Sequence, residues 1–323
     1  MIYQQNTIGA DIRVYDEKDA YRFVGAITLG DELVPDSVVL SADKHTLYAN
    51  GTNRWEFWRE PTGEGRSVFA AFDALSLEEL WRVPLLGSVE HFAASPDRRF
   101  VYVAHNDRKL VSKVDVERRE VTPIQIANMG GHKVRVSADG SRVYVGSIIW
   151  GSIDEIDATR DEWIRHITFD DNVRPLAVAP DGKRLFVQLS RYHGIKVVDV
   201  DQWSLLDDVA MPGLADGSTP PCENKYPFTV DHGLEITPDQ RYLISLATTG
   251  HFAALFTYPD LKFVRSIAVG KQPSYLTISA DSRLAYISCR ASCELWIISL
   301  DTLEPVHVIE RVGAFPQRVC VDH

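Results

Sequence analysis

The stretch Gly131–Val145, GHKVRVSADGSRVYV, decides how the rest of the chain is read. It predicts two short β-strands, His132–Ser137 and Ser141–Val145, joined by a tight turn. Ala138-Asp139-Gly140 supplies the small polar residues and the glycine that such turns favour. Val134 and Val136 alternate with polar neighbours, a period-two placement that suits a strand packed between neighbouring sheets.

Six other segments repeat this design. Anchored on the residue before each turn, the units stand at Ser41, Ser95, Ser137, Ala179, Thr237, Ser279 and Asp322, in steps of 54, 42, 42, 58, 42 and 43 residues. A base period of 42 is the length of a four-stranded propeller blade. After each turn comes a second strand, such as FVYVAH or RLFVQL. A third follows, ending in Asp73, Asp115, Asp157, Asp199, Thr257 or Ser299, and then a fourth. The seventh unit is split: PQRVCVD at 316–322 lacks partners, while IYQQN, DIRVYD and YRFVGAI near the N-terminus lack a first strand. Pairing them closes a ring and removes exposed sheet edges. The expectation is an all-β fold, one domain spanning 1–323, with seven blades of four antiparallel strands.

SADGSRVYV at 137–145 and PDGKRLFV at 180–187 resemble the YVTN-type repeat. That repeat is shared by lactonase-like seven-bladed propellers and the β subunit of quinohaemoprotein amine dehydrogenases. The resemblance covers essentially the whole chain. It implies the fold strongly and function weakly, because the shared residues make turns and strands. It also implies that polar residues in the central channel are the place to look for chemistry, since some lactonase-like members act on sugar-acid or muconate lactones. No Trp-Asp dipeptide ends the third strands, so the WD40 repeat fits less well.

Composition narrows the function classes. The length of 323 residues alone would suggest about two domains, which the repeat overrules. A net charge of -11 with no run of Lys or Arg argues against nucleic acid and anionic membrane surfaces. The N-terminus has no signal-peptide pattern and no stretch approaches the ~20 apolar residues of a membrane span, so a soluble, cytoplasmic chain is expected. Cys222, Cys289, Cys293 and Cys320 are too few for a disulfide framework. Cys289 and Cys293 read as free thiols, with a redox or metal pair as the alternative. No Gly-rich phosphate loop opens a helix and no Gly-x-Ser-x-Gly elbow appears.

The start of each innermost strand carries the candidate chemistry. Five residues before the anchors stand Asp36, Glu90, His132, Arg174, His232, Ser274 and Gln317, each expected to face the mouth of the channel. Structure alone would accept small neutral residues there, whereas five consecutive blades present acid, acid, His, Arg, His. One position later His91, Lys133, Tyr275 and Arg318 widen the polar rim. The long steps insert 12 residues around Gly51–Arg66 and 16 around Pro212–Asp231, both on this face. Such loops are commonly binding elements. Arg135 and Glu235, inside innermost strands, read as structural links between blades.

Glu90, His132, Arg174 and His232 are assigned catalytic roles. The imidazoles serve as acid or base, Glu90 orients His132, and Arg174 clamps a substrate carboxylate or stabilises an oxyanion. Asp36, His91, Arg318, Trp55, Trp58 and Tyr226 are assigned to substrate binding. His132 and His232 with Glu90 or Asp36 also form a donor set for a divalent metal. Blade 4 separates the two histidines and the Arg174 guanidinium would be repelled by a cation, so no cofactor or metal is assigned. The expected function is a lactonase, lyase or isomerase acting on a small anionic substrate. The alternative is a non-catalytic platform for a ligand or protein partner, with Trp55, Phe57, Trp58 and Tyr226 as contact anchors.

Overall fold

The computed structural model describes residues 1–30, 32–53, 66–213 and 229–322. Trp55, Phe57, Trp58, Cys222 and Tyr226 lie outside the described residues.

The described strands form seven four-stranded antiparallel sheets. Their innermost strands, blades 1 to 7 in order, are Val34–Leu40, Val89–Ala94, Gly131–Val136, Val173–Val178, Asp231–Ile236, Pro273–Ile278 and Pro316–Val321. Each packs against the innermost strands of its two neighbours, closing a ring around a central channel. Blade 7 joins the two ends of the chain: Pro316–Val321 pairs with Ile2–Asn6, followed outward by Asp11–Asp16 and Arg22–Ile27. The only helix among the described residues is the single 3-10 turn Glu17–Asp19.

The repeated turn is built by side chains. Asp43, Asp97, Asp139, Asp181, Asp239 and Asp281 each accept from the backbone N–H two residues on, at 3.0–3.1 Å. This caps the turn locally without help from the rest of the fold. The next residue takes a positive φ of 60–73° in all six blades, yet it is glycine only at Gly140 and Gly182; Lys44, Arg98, Gln240 and Ser282 fill it elsewhere. The aspartate bonds and the backbone bond back to each anchor hold these residues in place.

The apolar alternation packs blade against blade. Val134 of blade 3 is buried with Val143, Val145 and Ile156 of its own blade and with Tyr102, Val111 and Ile124 of blade 2. Side chains on both faces of a blade are therefore removed from water. Cys289, Cys293 and Cys320 are free, so no bond joins the first two. Cys289 ends the second strand of blade 6, Leu284–Cys289, and Cys293 lies in the turn that follows it.

Candidate active site in the central channel

Every innermost strand is irregular at the same place. Antiparallel pairing with the second strand slips by one residue between Pro35 and Ser37, Val89 and Phe92, Gly131 and Lys133, Val173 and Leu176, Asp231 and Leu234, and Pro273 and Tyr275. In blade 7 Gln317 and Arg318 together oppose Gln5. All seven ring residues thus sit in a β-bulge, where an extra residue leaves the ladder and its side chain is re-aimed. In blade 5 the bulge needs Gly233, whose φ is +132° and whose hydrogen faces Leu246 so closely that a Cβ would lie 2.5 Å from Cδ1.

Side-chain amides opposite the bulges hold their backbone. Asn50 accepts from Ser37 N at 2.8 Å and donates to the Glu90 carbonyl, tying blade 1 to blade 2. Gln188 accepts from Gly233 N at 2.9 Å and donates to Ser245 Oγ at 2.8 Å. Gln5 accepts from Arg318 N at 3.3 Å and donates to the Pro35 carbonyl at 2.6 Å. These buried amides were not singled out in the sequence. For two of them the signal was a polar residue nine positions after the anchor, at Asn50 and Gln188, in otherwise apolar strands.

The bulges bring three imidazoles together on the channel axis. The His91 and His132 rings lie 4.2 Å apart, and His132 and His232 5.9 Å apart in an edge-on arrangement. His132 and His232 therefore meet across the gap that blade 4 leaves between them. Tyr275 completes the group: its ring is 4.7 Å from His232, and its hydroxyl is 3.1 Å from His91 Nε2. His91, read from the sequence as a rim residue, belongs to the centre of the cluster.

The remaining ring members are fixed by defined partners. Glu90 Oε2 approaches His132 Nδ1 to 3.6 Å, close enough for electrostatic orientation but beyond a hydrogen bond. Its Oε1 accepts from Asn106 Nδ2 at 3.1 Å. His232 Nδ1 is 2.7 Å from the Ser274 carbonyl, so Nδ1 carries the proton and Nε2 is left as the basic nitrogen. Arg174 Nε donates to Ser190 Oγ at 2.7 Å. Arg318 pairs with Asp36 at 3.0 Å and donates to Tyr275 Oη at 3.3 Å. Arg135 and Glu235 form an ion pair, and Arg135 also donates to the Leu176 and Leu234 carbonyls, linking blades 3, 4 and 5.

The cluster is an interior site rather than a rim. His91 is 1% exposed, His232 2%, Arg174 3%, Glu90 5% and His132 6%. Burial holds His132 down at about 4, with Glu90 opposing and Arg174 and Arg318 reinforcing. Burial first, then Arg318, places His91 well below the ordinary histidine value; burial and Arg290 do the same to His232. All three rings are neutral at physiological pH. Both ring nitrogens of His132 and the Nδ1 of His91 have no hydrogen-bond partner. Buried polar atoms of this kind are completed by an ordered water, an ion or a ligand.

Outside the cluster, His193 and Asp231 form a separate pair at 2.9 Å, at the base of blade 5. His105 bonds Ser112 at 2.8 Å and reads as structural.

Fold and site together define a seven-bladed β-propeller with a buried polar constellation on its axis. No protein-family model matches the chain. No curated protein matches it either. Among solved structures the chain is similar to "Kuenenia stuttgartiensis Hydrazine Synthase", with 20% identity and a TM-score of 0.53, over 82% of this chain and 95% of that one. A likeness at that identity shows the propeller fold and no activity. No helix among the described residues is long and apolar enough to cross a membrane.

Proposed function

We propose that the channel cluster is the active site of an enzyme that performs acid–base chemistry on a small anionic substrate, of lactonase, lyase or isomerase type. The observation that carries this reading is His132: a neutral imidazole, 6% exposed, with neither ring nitrogen hydrogen-bonded and a carboxylate at 3.6 Å. His132 acts as the base, oriented by Glu90. His232 offers Nε2 from the neighbouring position, its ring fixed through the Ser274 carbonyl. Arg174 binds the substrate carboxylate or the oxyanion formed on ring opening. A clamped anion adds negative charge beside His132 and raises its basicity from the low value that burial imposes. The resemblance of the repeat to lactonase-like propellers supports the same substrate class.

One observation favours a second reading of the same site. A carboxylate oxygen of Glu90 and one nitrogen each of His91 and His132 lie within 4.8 Å of one another. Neutral imidazole with carboxylate suits zinc, iron or manganese.

The test is turnover of a panel of sugar-acid lactones and unsaturated carboxylates, run beside elemental metal analysis, on wild type and on the His132→Ala and His232→Ala variants. The expected loss is about 10²–10⁴-fold in each variant. About one bound metal per wild-type chain, lost in His132→Ala, selects the metal reading. If both variants keep full binding and turnover, the active-site assignment is wrong.

A further inference from the structure

The channel carries a second feature at its other end. A cavity of about 670 Å³ opens among the turns of blades 1, 2, 3, 5 and 6. Its walls present polar and apolar groups in about equal measure, with Phe92, Val136 and Ile278 partly accessible to it although they sit on innermost strands. Its inner limit is set by Lys133, Tyr275 and Arg318; the bulge residues one step further, His132, Ser274 and Gln317, do not line it. Tyr275 and Arg318 thus partition the cavity from the histidine cluster.

The charges at this inner limit do not balance. Arg318 is paired with Asp36, and Arg135 with Glu235. Lys133 makes no hydrogen bond or ion pair among the described residues. Lys44 and Arg98 at the outer edge add positive charge, and Glu235 is the one carboxylate on the wall. Burial, reinforced by Arg135, holds Lys133 well below the ordinary lysine value, and an anion supplied from outside favours its charged form.

We propose that this turn-face cavity binds a small amphipathic monocarboxylate, its carboxylate on Lys133 beside Arg318 and its apolar body against Phe92, Val136 and Ile278. The volume falls in the range of small-molecule pockets. With Arg318 and Arg135 paired, Lys133 is the inner cation left to meet a carboxylate, and the apolar part of the wall is left for the body of the ligand. The site stands independently of the chemistry assigned to the histidines.

The experiment is isothermal titration of the full chain with octanoate, with octan-1-ol and inorganic phosphate as comparisons, repeated on Lys133→Met. Octanoate is expected to bind at one site, with Lys133→Met weakening it about tenfold or more, as loss of a charged hydrogen bond implies. Octanol and phosphate are each expected to bind at least about tenfold more weakly, on the same ground. Equal binding of octanol shows an apolar hole without anion recognition; equal binding of phosphate shows a plain anion site; no binding of octanoate shows no site. Each of these overturns the proposal. Should Lys133→Met fail to fold, acetylation of wild type followed by peptide mass spectrometry gives the answer. Octanoate is expected to slow labelling of Lys133 but not of Lys44, and unchanged labelling of Lys133 overturns the assignment.

Discussion

The two ends of each innermost strand obey different rules. At the turn end, six blades use one solution, an aspartate that accepts from the backbone two residues on, at 3.0–3.1 Å. At the bulge end, seven blades share a backbone irregularity and fill it with Asp36, Glu90, His132, Arg174, His232, Ser274 and Gln317. A backbone requirement imposed equally on every blade accounts for the turns. It accounts for the bulges but not for what occupies them. A buried neutral imidazole lacking hydrogen-bond partners, as at His132, is a cost to stability, and such costs gather where a protein has a ligand to bind.

Acid breaks the two ends apart most strongly. Burial keeps His105 and His132 at about 4, and His91 and His232 well below their ordinary value. The unfolded chain takes up these protons near its unperturbed histidine value, so the folded state holds fewer protons in this window and loses stability as pH falls from about 6.5 towards 4. Each imidazole contributes about 1.4 kcal/mol per pH unit there. Asp231, raised to about 6, opposes the trend below that pH, one group against four, while His193, also raised, makes its contribution above pH 6.5. At the turns Asp139 is held at about 2 by bonds from Ser137 and Ser141, and Asp43, Asp97 and Asp239 are also held below their ordinary value, so they stay ionised through most of this range. Melting temperature should therefore fall steadily between pH 6.5 and 5. A flat profile would mean that the cluster is hydrated and charged.

Backbone geometry at a bulge gives the next effect. Gly233→Ala adds a Cβ at a φ of +132° and 2.5 Å from Leu246 Cδ1. The expected cost is about 2–4 kcal/mol, read from chemical denaturation. A cost under about 0.5 kcal/mol would show that the bulge relaxes freely and does not fix His232.

The smallest effect belongs to the turn. Asp139→Ala removes bonds to Ser141 N and to the Ser137 and Ser141 hydroxyls. A loss of about 1 kcal/mol is expected, with turnover and ligand binding unchanged. Altered binding would erase the distinction between the two ends.

The same contrast explains what could be read from the sequence. Turns depend on neighbours two to four residues away, so SADG and PDG gave the period, the blade count and the split seventh blade, all of which the structure shows. Ring membership followed from that period. The bulge depends on register with a second strand about ten residues further on, and no local pattern announces it; hence His91 was placed at the rim although its ring lies 4.2 Å from His132. Depth was missed for the same reason, and Arg174 and Glu90 proved interior. The cavity on the turn face was hidden because the residues that line it alternate as ordinary packed strands do.

The most direct test of a ring shaped by function is the thermal stability of His132→Leu beside its ligand binding. Replacing an imidazole without hydrogen bonds by an apolar side chain of similar size should leave the melting temperature equal to or a few degrees above wild type, while binding and turnover at the channel site are lost. A variant that melts about 5 °C or more below wild type yet keeps its binding and turnover would contradict the account, and would make His132 a structural residue.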